Sequence, residues 1–211
     1  MPLVGAVVGA LAGGLAWASS LAFAHPLVVA VAFGASIVVT GAIHIDGFLD
    51  TSDALFASVP LTRRFEILKD PRHGTFAVAS FAVLSVLWLA ALWSIPPERL
   101  AIVLAFSGAA ARFSAVWLAR FLPYAGGGER PAAFTSKPPL AALAASGLLV
   151  VALGLAAGGA TVVLLAVGGL TIATGYTFAG RLGGGLTGDV YGFLIVATDV
   201  LILALVPLAR G

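Results

Sequence analysis

The sequence predicts an all-α, polytopic integral membrane bundle of about seven transmembrane helices, and three observations carry that expectation. Of 211 residues, 61% are hydrophobic and 9% are charged, against roughly a quarter charged in soluble domains. The mean hydropathy is +1.11. The apolar residues gather into seven stretches near the ~20-residue length that a helix needs to cross the hydrocarbon of a bilayer. So few charged groups could not cover the outside of a soluble domain. That excludes a soluble enzyme, a disordered chain and a secreted disulfide scaffold. With no cysteine, disulfides, thiolate metal sites and Cys nucleophiles are also excluded. A net charge of +2 from 11 Lys+Arg and 9 Asp+Glu provides no nucleic-acid surface.

The stretches are roughly 2–20, 26–43, 75–95, 100–119, 140–157, 161–180 and 190–208. The first has no basic residues ahead of it and reads as a span, not a cleavable leader. The second starts at Pro26, a residue well suited to a first helical turn. The third and fourth are joined through Pro96, Pro97 and Glu98. The fifth and sixth are parted by Gly158, Gly159 and Ala160, which leave little room for a turn. The seventh contains Asp199, an acid two to three turns inside a span. The whole of 1–211 is expected to be one membrane-embedded domain.

Orientation follows from Lys and Arg, which favour cytoplasmic loops. Arg63, Arg64, Lys69 and Arg72 follow the second stretch, Arg120, Arg130 and Lys137 the fourth, and Arg181 the sixth. Arg99 and Arg210 lie on the opposite side, and Arg112 is inside the fourth span. The N-terminus is therefore expected in the cytoplasm and the C-terminus outside. Most acids follow the same geography, and positive-inside insertion makes no demand for them. The cytoplasmic segments 44–74, 120–139 and 181–189 are the expected seat of function.

The first of these contains Asp46, Asp50 and Asp53. On a helix of 3.6 residues per turn they fall within about 60° of one another. Three carboxylates on one face repel each other unless a cation neutralises them. Hard oxygen ligands suit Mg²⁺ or Mn²⁺, and Mg²⁺ is typically held by one or two carboxylates together with substrate phosphates. A solvated acidic face is the plainer alternative. Residues 61–70 then read as a short amphipathic helix ended by Pro71. Phe65 and Leu68 would lie on the membrane, and Arg63, Glu66 and Asp70 would share a face. Lys69 and Arg72 beside the acids fit a phosphate clamp of a point charge and a bidentate fork. Ordinary positive-inside anchoring explains them equally.

The last cytoplasmic connection has three consecutive glycines, Gly183, Gly184 and Gly185, which let backbone N–H groups approach an anion. Thr187 and Asp189 add a hydroxyl and a carboxylate for a metal–phosphate site. Asp199 is a functional candidate by its depth, with an ion pair to Arg112 as the structural alternative. His25 reads as structural, and the four tryptophans mostly as interface anchors.

Taken in order, three motifs carry a resemblance. They are Gly41-x-x-His44-x-Asp46-Gly47-x-x-Asp50-Thr51-x-Asp53, Lys69-Asp70-x-Arg72-x-Gly74-Thr75, and Gly184-Gly185-x-Thr187-Gly188-Asp189-x-x-Gly192. Together they resemble the adenosylcobinamide-GDP ribazoletransferase (cobalamin synthase) family, integral membrane enzymes of late cobalamin assembly. Arg112 and Pro123-Tyr124-Ala125 match family positions too. The chain departs from the family pattern in the short segment before its first span and at Ala54. It also departs in the loop 125–137 and in having Val196 and Asp199 where two acids are common.

The resemblance implies a Mg²⁺-dependent transferase in the bacterial cytoplasmic membrane, with its active site facing the cytoplasm. It would join adenosylcobinamide-GDP to α-ribazole or its 5′-phosphate, giving adenosylcobalamin or its phosphate and GMP. Asp46, Asp50, Asp53 and Asp189 would bind metal. Lys69, Arg72, Arg181, Arg112, Gly184, Gly185 and Thr187 would bind phosphate or substrate, and His44 or Asp70 would act as base. A homo-oligomer stays open. Competing expectations are a CDP-alcohol phosphotransferase or prenyltransferase and, from a different class, an ion-coupled transporter using Asp199 and Arg112.

Overall fold

The computed structural model describes residues 1–126, 137–158 and 161–207. Glu129 and Arg130, in the second of the segments expected in the cytoplasm, lie outside the described residues. The chain forms α1 (Pro2–Ser19), α2 (His25–Val38), α3 (Ile43–Phe56), α4 (Leu61–Ile67) and α5 (Thr75–Trp93). A 3₁₀ turn at Pro97–Arg99 leads into α6 (Leu100–Phe121), followed by α7 (Leu140–Ala156), α8 (Thr161–Arg181) and α9 (Gly188–Leu205). The described residues contain no strand; one isolated bridge pairs Tyr124 with Leu186.

Each of the seven apolar stretches coincides with a helix, and the molecule is a multi-pass helical membrane protein. Among the described residues, α1, α5, α6 with its 3₁₀ turn, and α9 are long and apolar enough to cross a bilayer by themselves. The α2–α3 pair would make a fifth span, and α7 is apolar but shorter.

The second stretch ends earlier than its composition suggests. Helix α2 stops at Val38, and α3 sets off at 82° to it. The break rests on two successive left-handed residues, Gly41 at φ +62 and Ala42 at φ +59. Glycine adopts this conformation without steric cost, whereas alanine there is uncommon. The turn swings the acidic segment out of the line of α2 and lays it across the end of the bundle.

Helices α6 and α9 form the centre, with Leu100, Val103, Leu104 and Phe106 of α6 and Ile202 and Leu203 of α9 fully buried. Helix α1 lies directly on α6. A Cβ added at Gly9 would come within 2.0 Å of the Leu104 carbonyl oxygen, so only glycine permits that approach. Small residues at such spacing are how helices associate in lipid, where burial of apolar surface gives no gain. Helix α5 is peripheral, and its Val78, Val83, Val86, Leu87 and Trp93 are exposed, as a lipid-facing surface requires. Trp88 departs from the expected interface role: it is 3% exposed and points inward, against Phe33 of α2. His25 ties the start of α2 to the end of α5, its Nε2 3.1 Å from the Trp93 carbonyl oxygen.

Candidate active site

The acids of the first motif share one helix, as their spacing implies, but they do not share one job. On α3, Asp46 is exposed, Asp50 half-buried and Asp53 buried. The loop ahead of α5 delivers His73, whose Nδ1 lies 3.4 Å from Asp50 Oδ1. One ligand atom from each of Asp46, Asp50 and His73 lies within 4.8 Å of the others, a grouping able to hold a metal ion. Burial, then the Asp46 and Asp189 carboxylates, push Asp50 up to about 6, with His73 pulling the other way. The cluster thus carries more negative charge than it comfortably holds, and a cation would relieve it.

Asp53 is committed elsewhere. Its Oδ2 accepts from the Gly74 N–H at 2.5 Å, and its Oδ1 accepts from the Ala77 N–H at 2.9 Å. Gly74 is the N-cap of α5 and has no side chain to satisfy the first turn's donors. Asp53 supplies that cap from another helix. Of the four aspartates expected to bind metal, Asp46 and Asp50 stay together with Asp189 nearby, Asp53 turns to the backbone of α5, and His73 joins the group from the loop. The histidine could not be found by local spacing, because tertiary folding brings it to α3.

The segment between α4 and α5 is held by one side-chain pair. Arg72 donates from Nε and Nη2 to the two Asp70 oxygens at 2.9 and 2.8 Å, and its backbone N–H adds a third bond at 3.1 Å. These bonds from Arg72 bring Asp70 down to about 2, which makes it a poor base at neutral pH. Arg72 and Lys69 are exposed and Asp70 is half-buried, so both cations face outward beside the acids. Helix α4 ends at Ile67, short of Pro71, and its Arg63 and Glu66 pair at 2.7 Å on the exposed side. Phe65 and Leu68 pack against the core.

The third motif is largely architectural. Helix α8 closes with a Schellman-type ending: Gly184 N–H reaches back to the Ala179 carbonyl, with Gly183 and Gly184 at φ +80 and +107. Gly185 runs so close to the next strand of chain that a Cβ would lie 2.6 Å from the Pro123 oxygen. That closeness permits the bonds Leu186 N–H to Pro123 and Ala125 N–H to Leu186. These bonds account for Pro123-Tyr124-Ala125 as a matching segment.

Arg181 donates to the Leu55 carbonyl at 2.8 Å, satisfying the end of α3, and Arg64 donates to the Arg181 carbonyl at 2.6 Å. Arg181 is thus turned toward α3 as a fastening, away from the clamp role expected of it. Thr187 caps α9, its hydroxyl accepting from Val190 N–H at 3.5 Å. Asp189 follows at the mouth of that helix, close enough to Asp46 and Asp50 to interact electrostatically with both. Helices α3 and α9 meet here, and a Cβ on Gly47 would lie 2.7 Å from the Asp189 carbonyl oxygen.

His44 lies away from the acids, on the inner side of α3. It lines an internal cavity together with Arg112 of α6 and Asp199 of α9. Arg112 donates to the Gly108 carbonyl of its own helix at 3.2 Å. No ion pair within 4 Å joins it to Asp199 among the described residues. The expected pairing is therefore a shared cavity and not a salt bridge.

The model of the cobalamin-5-phosphate synthase family matches residues 1–207. An adenosylcobinamide-GDP ribazoletransferase of Geobacillus kaustophilus is 35% identical, covering 100% of this chain and 84% of that protein. One from Deinococcus radiodurans is 34% identical over 96% of this chain and 72% of its own length. A third, from Bradyrhizobium diazoefficiens, is 33% identical over 96% and 79%. No solved structure matches.

Proposed function

This chain belongs to the cobalamin-5-phosphate synthase family, and from that premise we propose a site and a mechanism for its transfer reaction. The protein is an enzyme that joins adenosylcobinamide-GDP to a ribazole acceptor. In our reading it uses Mg²⁺, releases GMP, and accepts α-ribazole or its 5′-phosphate. Residues 1–211 act as one transferase domain in the bacterial cytoplasmic membrane, with the N-terminus and the site on the cytoplasmic side. The observation that carries this reading is the convergence of Asp46, Asp50 and His73 within 4.8 Å, with Asp189 alongside.

The donor set fits a hard divalent ion: Asp46 and Asp50 offer carboxylate oxygens, and Asp50 already bears the strain of uncompensated charge. A bound Mg²⁺ would supply charge neutralisation on the pyrophosphate of the activated corrinoid. Asp46 and Asp50 would hold the ion, with Asp189 at the edge of the set. Arg72, oriented by Asp70, and Lys69 beside it present positive charge to the phosphates from the loop ahead of α5. Thr187 and Gly184 edge the opposite side of the same mouth.

The chemistry is an in-line displacement. The ribose hydroxyl oxygen of the acceptor forms a bond to the phosphorus on the cobinamide side. The bond from that phosphorus to the bridging oxygen breaks, and GMP leaves with the electron pair. The hydroxyl proton needs a base. Asp70 is held as a low-pKa anion by Arg72, and His44 faces the interior. His73, against Asp50, is the group we assign to it. Positioning and electrostatic stabilisation of the phosphoryl group supply most of such catalysis.

The test is GMP release by purified protein in nanodiscs with adenosylcobinamide-GDP, Mg²⁺ and either acceptor. Release should require the acceptor, should stop on chelation by EDTA, and should be lost in Asp50→Asn. Acceptor-independent release, or full activity in Asp50→Asn, would contradict the reading.

A further inference from the structure

Behind the acids, on the inner flank of α3, a narrow cavity of about 40 Å³ is lined by residues of α1, α2, α3, α5, α6 and α9. Three polar atoms from three different helices are buried around it with no hydrogen-bond partner: His44 Nδ1 of α3, Trp88 Nε1 of α5 and Asp199 Oδ1 of α9. The other Asp199 oxygen has the Ser107 hydroxyl for company. Arg112, 7% exposed, brings an opposite charge into the same space. Each unsatisfied buried polar group opposes folding, the more so where no bulk water can reach. Three around one cavity imply a shared partner. A water needs roughly 10–15 Å³ of such space and two to four polar neighbours, so the cavity has room for two or three.

We propose that this cavity holds an ordered water cluster, and that through it Asp199 acts as a positioning residue for the acidic site on α3. The inference rests on the functional reading above. His44 occupies the first turn of α3, two residues before Asp46. That turn has no side-chain cap and begins at the left-handed Ala42, so local sequence does little to fix it. Helix α9 grips the same turn from the side: a Cβ on Gly192 would lie 3.3 Å from the His44 carbonyl oxygen. Water bridging His44 Nδ1 to Asp199 Oδ1 sets the imidazole's orientation and with it the start of the helix. The carboxylates of Asp46 and Asp50 sit on the far face of that helix. Arg112 balances the buried Asp199 charge, and Trp88 donates to the same cluster. This is the logic of outer-shell partners that orient a metal's ligands.

The experiment uses the full chain in nanodiscs with ¹⁵N-labelled histidine, its three imidazoles assigned through His25→Gln and His73→Gln. The wild type should show His44 in a single tautomer. In Asp199→Leu that signal should split or broaden, and kcat should fall about 10- to 100-fold with KM near wild type. Asp199→Asn can still bond to water and should restore the His44 signal and most of kcat. An unchanged His44 spectrum in Asp199→Leu would overturn the inference, and so would Asp199→Asn as damaged as the leucine variant.

Hydroxyl-radical footprinting adds a direct check, since trapped water would label Trp88 despite its burial; an unlabelled Trp88 contradicts the water cluster. If Asp199→Leu does not fold, Trp88→Phe removes one donor from the same cavity and should also shift His44, while no shift counts against the cluster. The spectra need no substrate. Coupling without transfer would therefore sink the functional reading alone, and transfer without coupling would sink this inference alone.

Discussion

The two faces of α3 solve opposite electrostatic problems. The outer face gathers Asp46 and Asp50, with His73 and Asp189 nearby, where water and loop cations can reach them. The inner face puts His44 into a narrow cavity with Arg112 and Asp199, where opposite charges share the space and buried polar atoms lack hydrogen-bond partners. The outer set has an excess of charge and calls for a cation. The inner set has an excess of unpaired polar atoms and calls for water. A single 14-residue helix therefore links a site built to bind with a site built to hold it in place.

The largest effect should come from the outer face. Asp46→Asn or Asp50→Asn should lower kcat by roughly 10²–10³-fold, the usual scale for losing a principal electrostatic element, with the fold intact by circular dichroism. An equal loss from Asp53→Asn, with unchanged thermal stability, would erase the distinction drawn between ligands and cap.

Asp53→Ala should instead act on the fold. Losing the acceptor for two first-turn donors of α5 should cost about 1–2 kcal/mol, read as a lower unfolding midpoint in mild denaturant. Its Mg²⁺ dependence should stay that of wild type when measured well below the midpoint.

The third prediction concerns pH. The folded-state value of Asp50, about 6, lies above the ordinary 3.8, so between these values the folded chain binds more protons than the unfolded one. The Asp50 contribution to metal-free stability, taken as wild type minus Asp50→Asn, should therefore fall as pH rises from about 4 to about 6. Saturating Mg²⁺ should flatten or reverse that slope, because the ion favours the ionised carboxylates. A metal-free contribution that climbs through this window would show that the cluster is not self-repelling.

The smallest effect should come from Arg63→Ala. Its pair with Glu66 is exposed on both sides and should be worth under about 1 kcal/mol. Activity should be unchanged within error.

Much of this architecture was legible in the residues. Apolar length located α1, α2, α5, α6, α7, α8 and α9, and the four- and three-residue spacing of Asp46, Asp50 and Asp53 placed them on one helix face. Three things were not legible. The left-handed Ala42 follows from where its two helices pack, α2 on α1 and α5 and α3 on α9 and α5, since alanine has no preference for it. His73 becomes a neighbour of Asp50 only because α5 packs against α3. Asp53 reads as a ligand by position and becomes a cap only because Gly74, its partner, has no side chain. The glycines of 183–185 mislead for a related reason: a chain that must end a helix and press against Pro123 needs the same residue that a phosphate loop needs.

Mn²⁺ binding to the purified chain, followed by electron paramagnetic resonance without substrate, tests the central claim most directly. The account predicts a saturable site that Mg²⁺ competes for, that disappears in Asp50→Asn, and that persists in Asp53→Asn at temperatures where that variant is folded. Binding that survives Asp50→Asn, or that is lost with Asp53 alone, would contradict it.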